Sequence, residues 1–110
     1  MDEATKLLEQ KLVECIAACN NCFDQCLLEE NVQHMVGCIR SDRECADMCT
    51  FVLGFLTREG SMKSDLLELC AITCDACAAE CGEHDMDHCQ ACAQACHECA
   101  KACRSHPLSA

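Results

Sequence analysis

The chain has 110 residues, which is room for one domain, so residues 1–110 are predicted to form a single unit. Sixteen cysteines make up much of its 51% hydrophobic content and Trp and Tyr are absent, so too few hydrocarbon side chains remain for an ordinary core. The net charge of −11 argues against nucleic acid or an anionic membrane as a partner, because both bind basic surfaces.

The N-terminal segment mixes charged residues such as Asp2, Glu3 and Lys6 with leucines. It lacks the apolar stretch and the cleavage site of an export signal, and no apolar run reaches membrane-spanning length. The sequence therefore predicts a cytoplasmic protein, in a compartment where thiols stay reduced.

Four helices are predicted, because the chain is rich in Ala, Leu, Glu, Gln, Lys and Met and has its only proline at Pro107. In chain order we expect them at about 4–29, 32–58, 62–81 and 86–104. The breaks are marked by Glu30 and Asn31, by Gly60 and Ser61, and by Gly82 as a C-terminal cap with Asp85 as an N-terminal cap; Pro107 closes the last helix. Short connections make neighbours antiparallel, so the predicted fold class is all-α, an up-down-up-down four-helix bundle.

The cysteines recur along each predicted helix at steps of three, four or seven, which keep side chains on one stripe. The four stripes are Cys15, Cys19, Cys22 and Cys26; Cys38, Cys45 and Cys49; Cys70, Cys74, Cys77 and Cys81; and Cys89, Cys92, Cys96, Cys99 and Cys103. They take the positions that carry the hydrophobic core of an ordinary bundle. A cysteine-lined core is therefore predicted, and packing alone is a poor reason for it, because so many small thiols would fill it loosely.

Disulfides, zinc and iron–sulfur clusters each fit this pattern badly. Helical neighbours have Cβ atoms about 5–6 Å apart, whereas a disulfide needs about 3.8 Å, although bridges between helices are geometrically possible. Structural zinc sites pair their ligands across a turn; Cys89–Cys92 and Cys96–Cys99 have the spacing but lie on one helical stripe. The cysteine run of ferredoxins is absent.

Copper(I) fits the stripes better, because it is soft, prefers thiolates and is satisfied by two or three of them. One monovalent ion per thiolate also cancels the charge that buried thiolates would otherwise carry. Capacity is expected between about 8 and about 16 ions per chain, and charge neutrality favours the larger value. We predict a protein that stores or buffers many Cu(I) ions; a zinc or general thiol buffer and a thiol redox sensor stay open as alternatives.

Three motifs carry a resemblance to a known family: Cys15-x3-Cys19-x2-Cys22-x3-Cys26, the segment GCIRSDRECA at 37–46, and the segment CGEHDMDHCQAC at 81–92. On these motifs the sequence resembles the bacterial copper storage proteins, in the branch without an export signal, over essentially its whole length. The resemblance implies a four-helix bundle that stores many Cu(I) ions along its core and associates into homotetramers.

The two ends of the predicted bundle differ. One end is expected to be a hydrocarbon plug made of Leu8, Leu12, Val52, Leu56 and Leu66. The other end brings cysteines together with His34, His84 and His88, which we expect to be additional copper ligands at an entrance, since a neutral imidazole is a reasonable ligand. His97 is expected to point off the cysteine stripe and His106 to be exposed beyond the plug.

Two further features concern the surroundings of the cysteine stripes. The apolar stripes Ile16, Phe23 and Leu27, and Met48, Phe51 and Phe55, are expected to flank the core, with a subunit interface as the alternative. Asp42 lies on the cysteine stripe of the second helix, as a polar neighbour of the metal array without an assigned role. No catalytic constellation or phosphate-binding loop is visible, so the chain is not predicted to be an enzyme.

Overall fold

The computed structural model describes residues 2–58, 61 and 63–108. Four helices account for most of them: α1 (Glu3–Leu27), α2 (Val36–Leu56), α3 (Lys63–Gly82) and α4 (Asp87–Ser105). A short 3₁₀ turn, Val32–Met35, leads directly into α2. The prediction of an all-α four-helix protein is confirmed.

The helix ends differ in detail from the sequence prediction. Asp2 caps α1, where its carboxylate accepts the backbone N–H of Thr5 at 2.8 Å. Asp85 does not cap α4; the capping position is Met86, which makes no side-chain hydrogen bond. Gly82 is the last residue of α3 and none of the described glycines has a positive φ, so the expected left-handed cap is absent there. The predicted break at Gly60 lies outside the described residues.

The helices form a square bundle in which each helix packs against its neighbours in sequence and α4 closes back onto α1. Short connections make consecutive helices antiparallel, and the bundle measures 45 × 20 × 18 Å. Ion pairs tie adjacent helices together: Lys11 of α1 lies 2.8 Å from Glu98 of α4, and Arg104 of α4 lies 2.7 Å from Asp75 of α3. Among the described residues, no helix combines the length and apolarity needed to cross a membrane.

The predicted hydrocarbon plug is present at the end where α1 begins. It consists of Leu8, Leu12, Val52, Leu56 and Leu67, all at most 4% exposed. Leu67 replaces the predicted Leu66, which is only partly buried, because a step of three back from Cys70 keeps the stripe facing inward. Each of these side chains stabilises the fold by about 1.5–3 kcal/mol through burial, so this end is firmly closed.

His106 closes the plug end, contrary to the expectation that it is exposed. It is 6% exposed; its Nδ1 accepts the backbone N–H of Leu108 at 3.1 Å, so its Nε2 carries the proton and donates to the hydroxyl of Thr5 at 3.0 Å. The histidine thereby joins the last turn of α4 to the first turn of α1.

The flanking apolar stripes are only partly in the core. Ile16 and Met48 pack against the buried cluster, as expected. Leu27 is 49% exposed and Phe51 is 53% exposed, so the prediction that they flank the core is wrong. Phe51 instead contacts Phe55, with ring centroids 5.3 Å apart, on the outer surface of α2.

Candidate metal centre

All sixteen cysteines point into the bundle, and every one is a free thiol with at most 1% of its surface exposed. α1 contributes four, α2 three, α3 four and α4 five, at the heights that their helical steps predict. The antiparallel arrangement brings the four stripes face to face, so the thiols form one continuous column along the bundle axis.

Sulfur atoms contact one another both along and across helices. Along a helix, Cys15 Sγ lies 4.0 Å from Cys19 Sγ, and Cys22 Sγ lies 3.8 Å from Cys26 Sγ. Across helices, the Cys38 Sγ to Cys81 Sγ distance is only 3.0 Å. A thiophilic ion can therefore be bound by two sulfurs of one helix or be bridged between helices without a change of backbone.

The column contains compact sets of four sulfurs that all lie within 4.8 Å of one another. The core quartet consists of Cys15, Cys19, Cys45 and Cys96, and the mouth quartet consists of Cys22, Cys26, Cys38 and Cys89. Each quartet draws its sulfurs from α1, α2 and α4, so both depend on the closed bundle rather than on a local loop.

Asp42 lies within this column of thiols. Its side chain is fully buried, and its Oδ1 accepts S–H groups from Cys92 at 3.1 Å and from Cys81 at 3.2 Å. The sequence placed Asp42 on the stripe but assigned it no role. Burial raises the pKa of its carboxyl group to about 8, and negative charge on Cys92 acts in the same direction.

The mouth is the bundle end opposite the plug, where α1 and α3 end and α2 and α4 begin. His88 lines it with only 13% of its side chain exposed. Its Nδ1 lies 3.4 Å from Cys22 Sγ, and its Nε2 lies 2.8 Å from a carboxylate oxygen of Glu29. His84 is 18% exposed and pairs with Glu80 at 3.8 Å, one turn from Cys81. Two of the three predicted histidines therefore lie at the mouth.

His34 does not continue the stripe of Cys38, contrary to the expectation from its spacing. It is exposed, and Met35 is buried in its place at 1% exposure. The buried residues of α2 alternate steps of four and three, so the next step back from Cys38 is three and reaches Met35 rather than His34. The 3₁₀ turn keeps this alignment, because its side chains eclipse every three residues. The role of His34 as a ligand stays a prediction. His97 is exposed, as expected.

The thiols of the mouth quartet do not all have the same proton affinity. Burial raises the pKa of Cys26 and raises that of Cys89 to about 11, and negative charge on Cys38 adds to both. Hydrogen bonds from Cys22 and Cys81 lower the pKa of Cys38 to about 2. A first thiolate is thus stabilised by neighbouring S–H groups, whereas further thiolates are opposed by burial and like charge. The cluster loses its remaining protons readily only when a cation binds.

A scan against protein-family models matches residues 1–107 to the copper storage protein family, Csp. The chain belongs to this family. One relative, the uncharacterized cysteine-rich protein YhjQ of Bacillus subtilis (strain 168), is 45% identical over 91 residues, which are 83% of this chain and 84% of the relative.

Solved structures of copper storage proteins share the fold. The metal-free copper storage protein 3 from Bacillus subtilis is 44% identical, with a TM-score of 0.89 over 96% of this chain and 99% of that one. The copper storage protein Ccsp from Streptomyces lividans, loaded with 10 copper equivalents, is 37% identical, with a TM-score of 0.90 over 93% of this chain and 82% of that one. The recognition of the family from its motifs is confirmed.

The sequence did not lead us to predict that Met35 of this copper storage protein is buried at the mouth. Its signal was present in the spacing, since it lies three residues before Cys38 and seven before Asp42, which are both buried. A thioether is a soft ligand, so Met35 adds a donor of the kind that suits Cu(I).

Proposed function

We propose that this copper storage protein holds a reserve of Cu(I) in its thiol column, in the cytoplasm. One observation carries the proposal: sixteen free cysteines, all buried, lie with their sulfurs in mutual contact along the axis of a closed bundle. A single structural or catalytic zinc ion takes about four ligands, whereas sixteen thiols can hold many soft ions, as a storage protein requires.

The chemistry of the column favours Cu(I) as the cargo. Thiolate is the ligand that a soft monovalent ion prefers, and two or three sulfurs satisfy it. One Cu(I) per thiolate leaves the interior neutral, which matters because no compensating Lys or Arg lies among the buried residues that the structure describes. The relative from Streptomyces lividans is described as a cytosolic copper storage protein, which supports the cytoplasmic assignment.

The proposed ligands are the sixteen cysteines of the column, together with His84 and His88 at the mouth. We also propose that the chain associates into homotetramers, as the family resemblance implies. The exposed aromatic surface of α2 around Phe51 is compatible with such association.

Copper capacity tests the proposal directly. Reduced, metal-free protein should bind well over eight Cu(I) per chain and approach one per cysteine, because neutrality requires one monovalent ion per thiolate. The measurement is an anaerobic titration with Cu(I) against a competing chromogenic chelator. Saturation at about four Zn²⁺ per chain, with weak uptake of Cu(I), would favour a zinc buffer instead.

Copper is proposed to enter at the mouth, because the plug end offers hydrocarbon and the mouth offers imidazole and thiol donors leading inward. Replacing His84 and His88 together by Ala should slow both loading and removal of Cu(I), while total capacity falls only slightly. Stopped-flow loading with a Cu(I)–chelator complex measures this. His97→Ala is the matched control, since His97 is exposed on the side of α4 away from the column. His34→Ala, measured alongside, tests the remaining predicted ligand.

If the double variant loads Cu(I) at the original rate, the proposed location of the entrance is wrong. An independent variant, Leu12→Asp, addresses the same point from the plug end. It should lower stability without accelerating exchange, and faster exchange in that variant would contradict the proposed route.

A further inference from the structure

We infer that the mouth quartet, Cys22, Cys26, Cys38 and Cys89, is also a site for one tetrahedral thiophilic divalent cation, Zn²⁺, which Cu(I) displaces on loading. The inference goes beyond storage of Cu(I), and the presence of the site itself does not depend on storage. It rests on the shape of the quartet and on the charges around it.

The quartet has the dimensions of a tetrahedral thiolate site. Four sulfurs bound at about 2.3 Å to one zinc ion lie about 3.8 Å from one another. In the mouth quartet, Cys22 Sγ lies 3.8 Å from Cys26 Sγ, 3.7 Å from Cys38 Sγ and 3.9 Å from Cys89 Sγ. Cys38 Sγ and Cys89 Sγ are 4.0 Å apart, and the remaining two pairs are within 4.8 Å. One ion fits at the centre with small side-chain adjustments.

Shape alone does not single out this quartet, since the core quartet has similar sulfur spacings of 3.6 to 4.0 Å. Charge does. A divalent ion held by four thiolates carries a net charge of −2, which a buried site must stabilise. Cys38 and Cys89 lie in the first turns of α2 and α4, whereas Cys26 lies in the last turn of α1, so the positive and negative helix ends at the mouth offset each other. The charge of the site is lowered instead by a neutral imidazole.

His88 adds a nitrogen donor to the same quartet. Its Nδ1 lies 3.4 Å from Cys22 Sγ and 3.6 Å from Cys89 Sγ, and its Nε2–H donates to a carboxylate oxygen of Glu29 at 2.8 Å, so Nδ1 presents its lone pair to the sulfurs. A metal-binding histidine is commonly oriented by a carboxylate in this way. Three thiolates with one neutral imidazole form a ligand set that zinc accepts, and they lower the net charge of the site from −2 to −1. The core quartet has no comparable partner among the described residues, because its sulfurs contact other cysteines.

Exchange of the two metals balances in charge. A zinc ion with four thiolates has charge −2; four Cu(I) ions on the same thiolates are neutral, and one Zn²⁺ leaves. Because the mouth quartet lies on the proposed route of copper into the column, its zinc is expected to leave early in loading. Zinc would then keep the outermost thiols occupied in copper-poor protein.

The test uses the full chain, reduced and anaerobic, with Zn²⁺ alone as the probe. We expect one tight Zn²⁺ per chain by native mass spectrometry. X-ray absorption should show three or four sulfur neighbours near 2.3 Å, with a nitrogen at about 2.0–2.1 Å in the fourth position when there are three. Adding Cu(I) should release one Zn²⁺ per chain, read with a chromogenic zinc chelator, before half of the copper capacity is filled. His88→Ala should weaken zinc binding about 10- to 100-fold.

Matched serine variants locate the site. The pair Cys26→Ser and Cys89→Ser should weaken zinc binding more than 100-fold, whereas the pair Cys19→Ser and Cys96→Ser should keep the tight zinc ion while losing some copper capacity. Circular dichroism shows whether each variant is folded. Equal loss in both pairs, several tight zinc ions, or no tight zinc in a protein that takes up copper normally would overturn the inference. The last result would contradict the zinc site but not the proposal that the protein stores copper.

Discussion

Loading with Cu(I) is expected to raise the thermal unfolding midpoint of this protein by tens of degrees. Each ion that binds the folded state alone stabilises it by about 2.7 kcal/mol when free metal is at a hundredfold excess over the dissociation constant. Several such sites act on one bundle, and a domain of roughly this size gains about 4–8 °C per kcal/mol. The effect therefore exceeds that of any single substitution.

The same measurement also tests whether the bundle forms without metal. The thiol stripes face one another across the bundle, and the plug consists of buried leucine and valine side chains, which are not metal ligands. We expect a helical circular dichroism spectrum for the metal-free protein, unlike a zinc finger, which needs its ion to fold. A coil-like spectrum, or equal midpoints for metal-free and loaded protein, would contradict this account. Adding Cu(I) in increments should raise the thermal unfolding midpoint progressively.

The spacing of the cysteines was sufficient to predict the bundle and its interior. Steps of three and four place all sixteen thiols on inward stripes, and all sixteen are buried. Helix boundaries were predicted less well, because residues that favour helix, such as Leu28 and Glu29, continue past the last buried turn of α1. Leu28 and Glu29 follow α1 without a strong stop signal, and the 3₁₀ turn before α2 has no composition that distinguishes it from a helix.

Three wrong predictions of which residues are buried share one physical cause. The buried positions alternate steps of three and four along each helix, which is the 3.5-residue period of packed antiparallel helices. Continuing the alternation from Cys38 gives Met35 rather than His34, and continuing it from Cys70 gives Leu67 rather than Leu66. From Cys103 it gives His106, which is buried although it was expected to be exposed. Applying this alternation of three and four to the whole of each stripe predicts all three buried positions correctly.

The surroundings of Asp42 could not be predicted in the same way. Its place on the stripe follows from the period, but its contacts with Cys81 and Cys92 come from α3 and α4 and depend on how the helices are rotated. The pairing of His88 with Glu29 likewise joins residues 59 positions apart. Such contacts need three-dimensional packing, which one sequence does not specify.

Between pH 5 and pH 7.5, Asp42 is expected to cost the metal-free protein about 3 kcal/mol of stability relative to the variant Asp42→Asn. Burial raises the pKa of its carboxyl group to about 8 in the folded state, against about 3.9 in an unfolded chain. Between these values the folded carboxyl holds a proton that the unfolded one has lost, so this group lowers stability as pH rises. Each pH unit in that interval costs about 1.4 kcal/mol. The lowered pKa of the Cys38 thiol acts in the opposite direction, so the effect of Asp42 appears in the difference between the two proteins.

Urea unfolding of the reduced, metal-free protein and of Asp42→Asn at pH 5 and pH 7.5 measures this difference. Both proteins carry the same thiols, so the pH dependence of the thiols cancels, and the amide is close in shape to the carboxyl group and does not ionise. Asp47→Asn is the matched control on the same helix: Asp47 is exposed and pairs with Arg43, so that variant should keep the pH dependence of the unsubstituted protein. Equal changes of stability with pH in the unsubstituted protein and in Asp42→Asn would mean that Asp42 is ionised within the column.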